Sequence, residues 1–245
     1  MRTTSNPTST KSEWLSFWDN PHSLYANARH KDVYFRLMAE QIAALVPSPQ
    51  ARVLDYGCGE ALHADLVAAA ASELLLCEPA PRPRAAVAAR FAESSNSKIR
   101  VIGPEELECL PDHSVDFIVL NGVTQYLSPE ETGKLFALFD RLARPGGILL
   151  VGDVIPPHVA GLTDVMARLR FASANGFLFA SLVGLARTLV SNYARLRTSL
   201  GLTRYSEATM IEMLAVAGFA ASLAPRNLGP HRARMTFIAR PVQSR

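Results

Sequence analysis

Residues Val53–Glu60, with the sequence Val-Leu-Asp-Tyr-Gly-Cys-Gly-Glu, decide how the rest of this chain is interpreted. A short apolar, β-prone run ends at an acid, Asp55, and a Gly-x-Gly turn made by Gly57 and Gly59 follows. Glycine has no Cβ, so the backbone can turn sharply here and approach a ligand closely. The pattern after the turn is helical, and the free N–H groups at the start of a helix favour a bound polar group. The stretch therefore predicts a strand–turn–helix unit that holds a small molecule against the main chain.

The departures from a dinucleotide-binding turn indicate which molecule is held. Such a turn needs a third glycine, and this chain has Leu62 at that position. Asp55 would repel a pyrophosphate but would suit a ligand that carries an ammonium group. Both features disfavour a nicotinamide-dependent dehydrogenase. The Asp-x-Gly-x-Gly pattern resembles the first motif of the class I S-adenosylmethionine (SAM) dependent methyltransferases. The resemblance implies SAM as the cofactor, bound by Asp55, Gly57, Cys58 and Gly59.

A second acid follows at a spacing that suits a ribose. Glu78, followed by Pro79, closes a short apolar run 23 residues after Asp55. An acid about 20 residues beyond the glycine turn binds ribose hydroxyls in nucleotide folds, and a carboxylate can accept both hydroxyl protons at once. Glu78 is therefore predicted to bind the ribose, with Pro79 beside it.

Two further strand ends extend the resemblance. In the resembled family an acid after the third strand receives the adenine amino group, and counting along this chain leaves Glu105 and Glu106 as alternatives. Either acid could instead belong to a helix first turn, where the helix dipole favours it. The fourth predicted strand opens into a loop that the resemblance places near the methyl group, and Asn121, Gly122 and Gln125 are the candidates there.

The alternation of strands and helices predicts an α/β fold with a doubly wound, mostly parallel sheet. The resemblance implies seven strands, of which the last is antiparallel. We expect residues 1–46 to form a tail, loose over residues 1–11, and a helical lid, and residues 47–245 to form the SAM-binding domain. In that domain we expect a helix from Ala61, a helix that begins at Ser128 with Glu131 three residues on, a fifth strand from Ile148, and a helix from Tyr205 with Gly218 as its stop signal. The aromatic-rich helices before residue 47 suit either a lid over the cofactor or a helix pair that only packs on the sheet.

Residues 155–204 form a predicted helical insertion between strands 5 and 6, with helices over Leu162–Phe171 and Gly176–Tyr193 and a turn at Asn175-Gly176 between them. Its 50 residues far exceed a usual connection, and Gly176–Ala186 carries no charge. Three interpretations stay open: a structural cap, a lid that covers the substrate, or a surface for a membrane or a protein partner.

The predicted function is transfer of a methyl group from SAM to a small-molecule acceptor with an apolar part, by in-line displacement. A hydroxyl acceptor would also need a base. The weak candidates for that base are His30, His158, Asp153 and His231. His231 also fits a solvated sheet edge together with Arg232 and Arg234. The alternative function is a non-catalytic SAM-binding module that acts through a protein partner or a membrane surface.

Composition limits the partners and the compartment. Apolar residues make up 49% of the chain, charged residues 19%, and the net charge is only +3, so we expect no nucleic acid partner. Three cysteines without paired spacing predict neither a disulfide framework nor a metal site, and they suit a cytoplasmic protein. No apolar run approaches the roughly 18 residues of a spanning helix, and no signal peptide is recognisable. The sequence leaves the oligomeric state open.

Overall fold

A seven-stranded sheet organises the parts of the chain that the computed structural model describes, residues 7–20, 25–94, 96–159, 161–189 and 201–242. The strands are β1 (Arg52–Tyr56), β2 (Glu73–Cys77), β3 (Ile99–Ile102), β4 (Val115–Asn121), β5 (Ala143–Val154), β6 (Phe219–Leu223) and β7 (Met235–Pro241). Their order across the sheet is β3-β2-β1-β4-β5-β7-β6. The first five are parallel, whereas β7 is antiparallel to both of its neighbours. The predicted fold class is confirmed.

Helices cover both faces of this sheet. They are α1 (Pro7–Trp18), α2 (Ala28–Ala43), α3 (Ala64–Ala69), α4 (Pro81–Ala92), α5 (Pro104–Glu108), α6 (Pro129–Leu142), α7 (Gly161–Ala174), α8 (Leu178–Leu189) and α9 (Glu207–Val216). Neighbouring strand residues point to opposite faces, so Leu54 belongs to the core on one face and Val53 to the core on the other. A parallel strand covered on both faces is apolar without alternation, which explains the continuous run in β4.

Three element boundaries differ from the sequence predictions, and the backbone gives a reason for two of them. The predicted loose tail over residues 1–11 is wrong from Pro7 onward, because α1 begins there. The helix predicted from Ala61 begins only at Ala64, since Ala61 has a φ of +43°, which no right-handed helix contains. Strand β5 was expected to begin at Ile148 but starts at Ala143, because the Pro-Gly-Gly segment itself extends along the sheet with a register shift.

The predicted starts and stops of two helices are confirmed. Ser128 and Glu131 form the capping box of α6, in which each side chain bonds the backbone N–H of the other residue. Ser206 caps α9, and Gly218 ends that segment with a φ of +96°.

The insertion leaves the sheet after β5 and returns before α9. Its two ends are joined, because the Tyr205 N–H donates to the Ile155 carbonyl at 3.0 Å. Gly176, with a φ of +75°, makes the predicted turn between α7 and α8. The predicted continuation of the second helix to Tyr193 lies outside the described residues, as do residues 1–6 of the tail.

The strand order places the ligand site. The chain winds outward from β1 to β3 on one side and resumes with β4 on the other, so the order reverses between β1 and β4. Ligands of doubly wound sheets bind beyond the carboxyl ends of the strands at such a reversal. Within the described ranges, no helix combines the length and the apolar character needed to cross a membrane.

Candidate functional site

A cavity of about 760 Å³ lies at the carboxyl ends of β1, β2, β4 and β5. Nine of the eleven predicted cofactor residues line it: Asp55, Gly57, Cys58, Gly59, Glu78, Pro79, Asn121, Gly122 and Gln125. Helices α1, α2 and α7 and the loop before β7 supply other parts of the wall. The cavity is therefore lined by the carboxyl ends of the parallel strands. It is also lined by the N-terminal helices, the insertion and the loop before β7.

The glycine turn needs glycine at Gly57 for two reasons. Its φ is +73°, a conformation that L side chains rarely adopt. A Cβ built on Gly57 would also lie 2.5 Å from Cγ2 of Val123, in the loop after β4. The Gly57 N–H donates to the Cys77 carbonyl at 2.7 Å, which fixes the turn to the end of β2. The turn thus packs backbone against the neighbouring strand ends and keeps Gly59 at the cavity wall.

Glu78 is buried and connects two loops through its carboxylate. Its Oε2 accepts from the Gly59 N–H at 2.8 Å, and its Oε1 accepts from the Ala80 N–H at 2.9 Å. Burial raises the pKa of Glu78, and the two backbone hydrogen bonds oppose that rise. Each carboxylate oxygen has a second lone pair, so Glu78 can still accept hydroxyl protons from a ligand in the cavity.

Asp55, at the end of β1, is the second carboxylate in this part of the cavity. Burial raises the pKa of Asp55 to about 7, and the nearby Glu78 carboxylate adds to the rise. Two carboxylates that share a partly dry site repel each other. A ligand that brings an ammonium group to Asp55 and hydroxyl groups to Glu78 would relieve that repulsion.

The two acids after β3 do not join this arrangement. Glu105 and Glu106 both lie outside the cavity wall. Glu106 acts as the capping side chain of α5, since its Oε1 accepts from the Gly103 N–H at 3.2 Å. Its Oε2 lies 3.4 Å from an Arg100 guanidinium nitrogen. Glu106 therefore fits the alternative interpretation, an acid in the first turn of a helix. Because neither acid lines the cavity, the structure does not support a contact of either one with adenine.

A buried ion-pair network forms the opposite end of the cavity, beyond β5. The Arg234 guanidinium lies 2.9 Å from Oδ2 of Asp153 and 2.9 Å from Oδ2 of Asp164. Arg234 is only 11% exposed, so the predicted solvated edge is wrong for this residue, although Arg232 is exposed. Asp153 has a φ of +59°, and burial raises its pKa although Arg234 opposes the rise.

Two of the three candidate histidines lie at this end, and one does not. His231 lines the cavity with its Nδ1 4.0 Å from Oδ1 of Asp164, and burial lowers its pKa. His30 also lines the cavity, and burial lowers its pKa to about 4. Its Nδ1 accepts from the Ala26 N–H at 3.1 Å. His158 is exposed and lies outside the cavity wall, so the structure does not support it as a candidate base.

Aromatic side chains of α1 and α2 form another wall. Trp14 is buried, and its ring centroid lies 4.7 Å from that of Tyr126, in the loop after β4. Trp18 meets the same Tyr126 ring edge-on at 5.2 Å. Lys31 of α2 forms an ion pair at 2.8 Å with Glu60, directly after the glycine turn. The N-terminal helices therefore contact the segments that follow both β1 and β4.

Sequence reasoning missed Tyr34 and Arg234 as residues of the cavity wall, and it missed Asp164 as the ion-pair partner of Arg234. Tyr34 is a wall residue whose hydroxyl bonds the Asn121 side chain, and burial raises its pKa. Its aromatic neighbours made it resemble an ordinary packing residue, and no local pattern in Asp164 or Arg234 indicates that they meet across 70 residues of sequence.

Comparison with known proteins identifies the central part of the chain. Residues 54–151 match the model of a family described as a methyltransferase domain. This segment is a methyltransferase domain. It begins within β1 and ends within β5, so it contains the glycine turn, Glu78 and Asn121.

One curated relative is similar over a short part of this chain. It is the tRNA N(3)-cytidine methyltransferase METTL2 of Danio rerio, 45% identical over 62 residues. The match covers 25% of this chain and 16% of that protein.

Solved structures with bound SAM or SAH share the fold over nearly the whole chain. The DhpI complex with SAH has a TM-score of 0.62 at 14% identity, with 98% of this chain and 100% of that chain covered. The magnesium protoporphyrin IX methyltransferase ChlM of Synechocystis PCC 6803, solved with bound SAM, has a TM-score of 0.59 at 15% identity, with both chains fully covered. The N-methyltransferase NodS of Bradyrhizobium japonicum WM9, in complex with SAH, has a TM-score of 0.58 at 14% identity, with 96% and 100% covered.

The residues of the methyltransferase domain fit SAM as the cofactor. The ammonium group of SAM would complement Asp55, whose carboxyl is buried beside a second acid. The glycine turn leaves space at the cavity wall where a side chain would clash or be strained. Among the described residues, no group of three or more His, Cys, Asp and Glu side chains is arranged to hold a metal ion.

Replacement of Glu78 by alanine should weaken SAM binding. The variant would lose the predicted acceptor for the ribose hydroxyls and also the link between the Gly59 and Ala80 N–H groups. We expect a loss of roughly 1.5–3 kcal/mol, the range for hydrogen bonds to a charged group, measured by isothermal titration calorimetry. Glu73→Ala, on the same strand but paired with Arg52 away from the cavity, is the matched control. Unchanged affinity in Glu78→Ala would remove this residue from the site.

The affinity for SAM should depend on pH through Asp55. Its pKa of about 7 means that the carboxyl is protonated below that pH and no longer attracts the ammonium group. Lowering the pH from about 8 to about 6 should therefore weaken binding by about tenfold, because about pH 6 lies one unit below the pKa and only about a tenth of the carboxyl groups are then ionised. Asp55→Asn should bind more weakly and show no such dependence in calorimetric titrations. A flat pH profile of the unsubstituted protein would contradict the assignment of the ammonium to Asp55.

Proposed function

We propose that this protein is an enzyme that transfers the SAM methyl group to a small-molecule acceptor with an apolar part. The observation that carries the proposal is the extent of the cavity. It reaches from Glu78 at the end of β2 to Asp153 at the end of β5, which is three strand spacings or about 14 Å. A cavity of this reach has room for the cofactor over β1 and β2 and for a second molecule beyond β4 and β5.

The chemistry that SAM supplies when bound is a methyl carbon on a sulfonium, which forms a bond to the acceptor atom as its bond to sulfur breaks. The electron pair of the broken bond stays on sulfur. The protein contributes by holding the acceptor in line and by excluding water. The aromatic wall of α1 and α2 serves both purposes, because it closes the cavity with apolar groups.

The polar end of the cavity supplies groups that can take a proton from the acceptor. Burial keeps the pKa of His231 low, so its imidazole is neutral and can accept a proton near pH 7. Asp153 uses Oδ2 for Arg234, whereas its Oδ1 has no hydrogen-bond partner among the described residues. His30 is the weaker candidate because its Nδ1 already accepts from Ala26.

The apolar wall supports an acceptor with an apolar part. Trp14, Trp18, Phe35 and Phe171 line the same cavity as the ion-pair network. Ligand pockets of this kind combine a mostly apolar lining with a few polar groups that fix orientation. The similarity to a tRNA methyltransferase covers only part of the fold, and the absence of a nucleic acid acceptor stays a prediction. The non-catalytic SAM-binding module remains the alternative.

The central test combines a search for the methyl acceptor with a measurement on an Asp153 variant. Protein incubated with methyl-labelled SAM and the small-molecule fraction of a cell extract should release a labelled product. Asp153→Asn should lower that transfer by about 100-fold or more, the scale of general acid–base catalysis, while calorimetric SAM affinity stays within about threefold. Asp112→Asn, an exposed aspartate remote from the cavity, is the control. SAM binding with no labelled product in any fraction would favour the non-catalytic module.

The N-terminal helices are proposed to close over the cofactor. Deletion of residues 1–6, which precede α1, should leave SAM affinity unchanged, whereas deletion through Lys31 should weaken it by at least about tenfold, or 1.4 kcal/mol. Trp18→Ala, which removes one contact with Tyr126 and leaves the helices in place, should produce a smaller loss in the same direction. Full affinity in the longer deletion, measured by calorimetry, would show that these helices only pack on the sheet.

A further inference from the structure

Helix α8 exposes its large apolar side chains and buries its small ones. Phe179 is 81% exposed and Leu182 is 48% exposed, and Leu178 and Val183 are exposed as well. Ser181, in contrast, is fully buried, and its hydroxyl has no hydrogen-bond partner among the described residues. A surface helix of a globular protein normally has the opposite arrangement.

The exposed side chains form one continuous face. With about 100° of rotation per residue, Leu178, Phe179, Leu182 and Val183 fall within an arc of about 140°. We call these four residues the α8 outer face. The opposite side of the helix packs inward through Gly184, where a Cβ would lie 3.1 Å from Ala26. The packing therefore fixes which side of the helix points outward.

The segment that contains the α8 outer face has an unusual charge. Residues 155–204 contain six arginines and one aspartate and neither lysine nor glutamate, which gives a net charge of +5. The whole chain has a net charge of +3, so the remaining residues together carry −2. No charged residue lies within Gly176–Ala186. An uncharged run that includes most of α8 thus lies within a strongly basic segment.

We propose that the α8 outer face docks onto an anionic lipid surface. Phenylalanine and leucine insert at the boundary between headgroups and acyl chains, and the net positive charge of the segment that contains α8 favours anionic headgroups. A symmetric contact between two copies would place two segments of charge +5 against each other, which electrostatic repulsion disfavours. An anionic lipid surface would bury the apolar side chains and also attract the positively charged segment.

Docking at this face would reach the cavity directly. Phe177 precedes α8, is buried, and stacks on the His30 ring at a centroid distance of 4.8 Å. His30 belongs to the cavity wall. The proposal does not rest on the proposed methyl transfer, because lipid binding is measurable without SAM or an acceptor.

Vesicle sedimentation with the full chain tests the proposal. The protein should sediment with vesicles made of equal parts phosphatidylcholine and phosphatidylserine, and far less with phosphatidylcholine alone. High salt should release it, because the attraction to the headgroups is screened. Replacement of Phe179 and Leu182 by serine should reduce the bound fraction at least about tenfold. Val216→Ser is the matched control, because Val216 is 86% exposed on α9, outside the insertion.

Circular dichroism and thermal unfolding of each variant separate docking from folding. The single variant Phe179→Ser replaces the most exposed of the four side chains, so it should fold normally and still lose most of the lipid binding. The proposal is overturned if the unsubstituted protein binds neither type of vesicle, or if the folded double variant binds anionic vesicles as well as the unsubstituted protein does. It is also overturned if the unsubstituted protein does not bind vesicles but forms dimers that the double variant cannot form. The α8 outer face would then bind a second copy of the chain.

Discussion

The carboxylate of Glu78 is the interaction on which the cofactor end of this structure depends. One oxygen accepts from Gly59 in the turn after β1, and the other accepts from Ala80 at the start of α4. A single buried acid thus fixes the relative position of two loops that come from neighbouring strands. Such a charge is costly to bury unless backbone donors surround it, so the loops and the carboxylate stabilise one another. The same geometry leaves lone pairs available to a ligand.

The opposite end of the cavity follows a different electrostatic principle. Asp153, Arg234 and Asp164 form a buried network in which one guanidinium serves two carboxylates. Removing one partner of a buried ion pair leaves the other charge buried without compensation. This costs more free energy of folding than the intact pair contributes. The network therefore gives this end a defined shape. It joins β5 and α7 to the loop before β7, which belong to parts of the chain distant in sequence.

The insertion connects this site to the outside of the molecule. Its first helix contributes Phe171 and Asp164 to the interior, and its second helix turns large apolar side chains outward. Packing among the described residues does not explain why this helix buries Ser181 and exposes Phe179. The two helices thus differ in role although both belong to one inserted segment, and the turn at Gly176 separates them.

The sequence alone determined the fold class, the glycine-turn motif and nine residues of the cavity wall. Asp55, Gly57 and Glu78 were found because each follows a short apolar strand, and parallel strands bring their carboxyl ends to one edge. The sequence could not determine the acceptor end. Arg234 looked like a residue of a solvated edge, yet it is buried between Asp153 and Asp164 because β7 inserts between β5 and β6. Local patterns report the period of a helix or strand, whereas ion pairs between residues some 70 to 80 positions apart depend on how the elements assemble. The outward face of α8 was decided in the same way, since an uncharged run is equally compatible with burial and exposure until its packing partner at Ala26 is known.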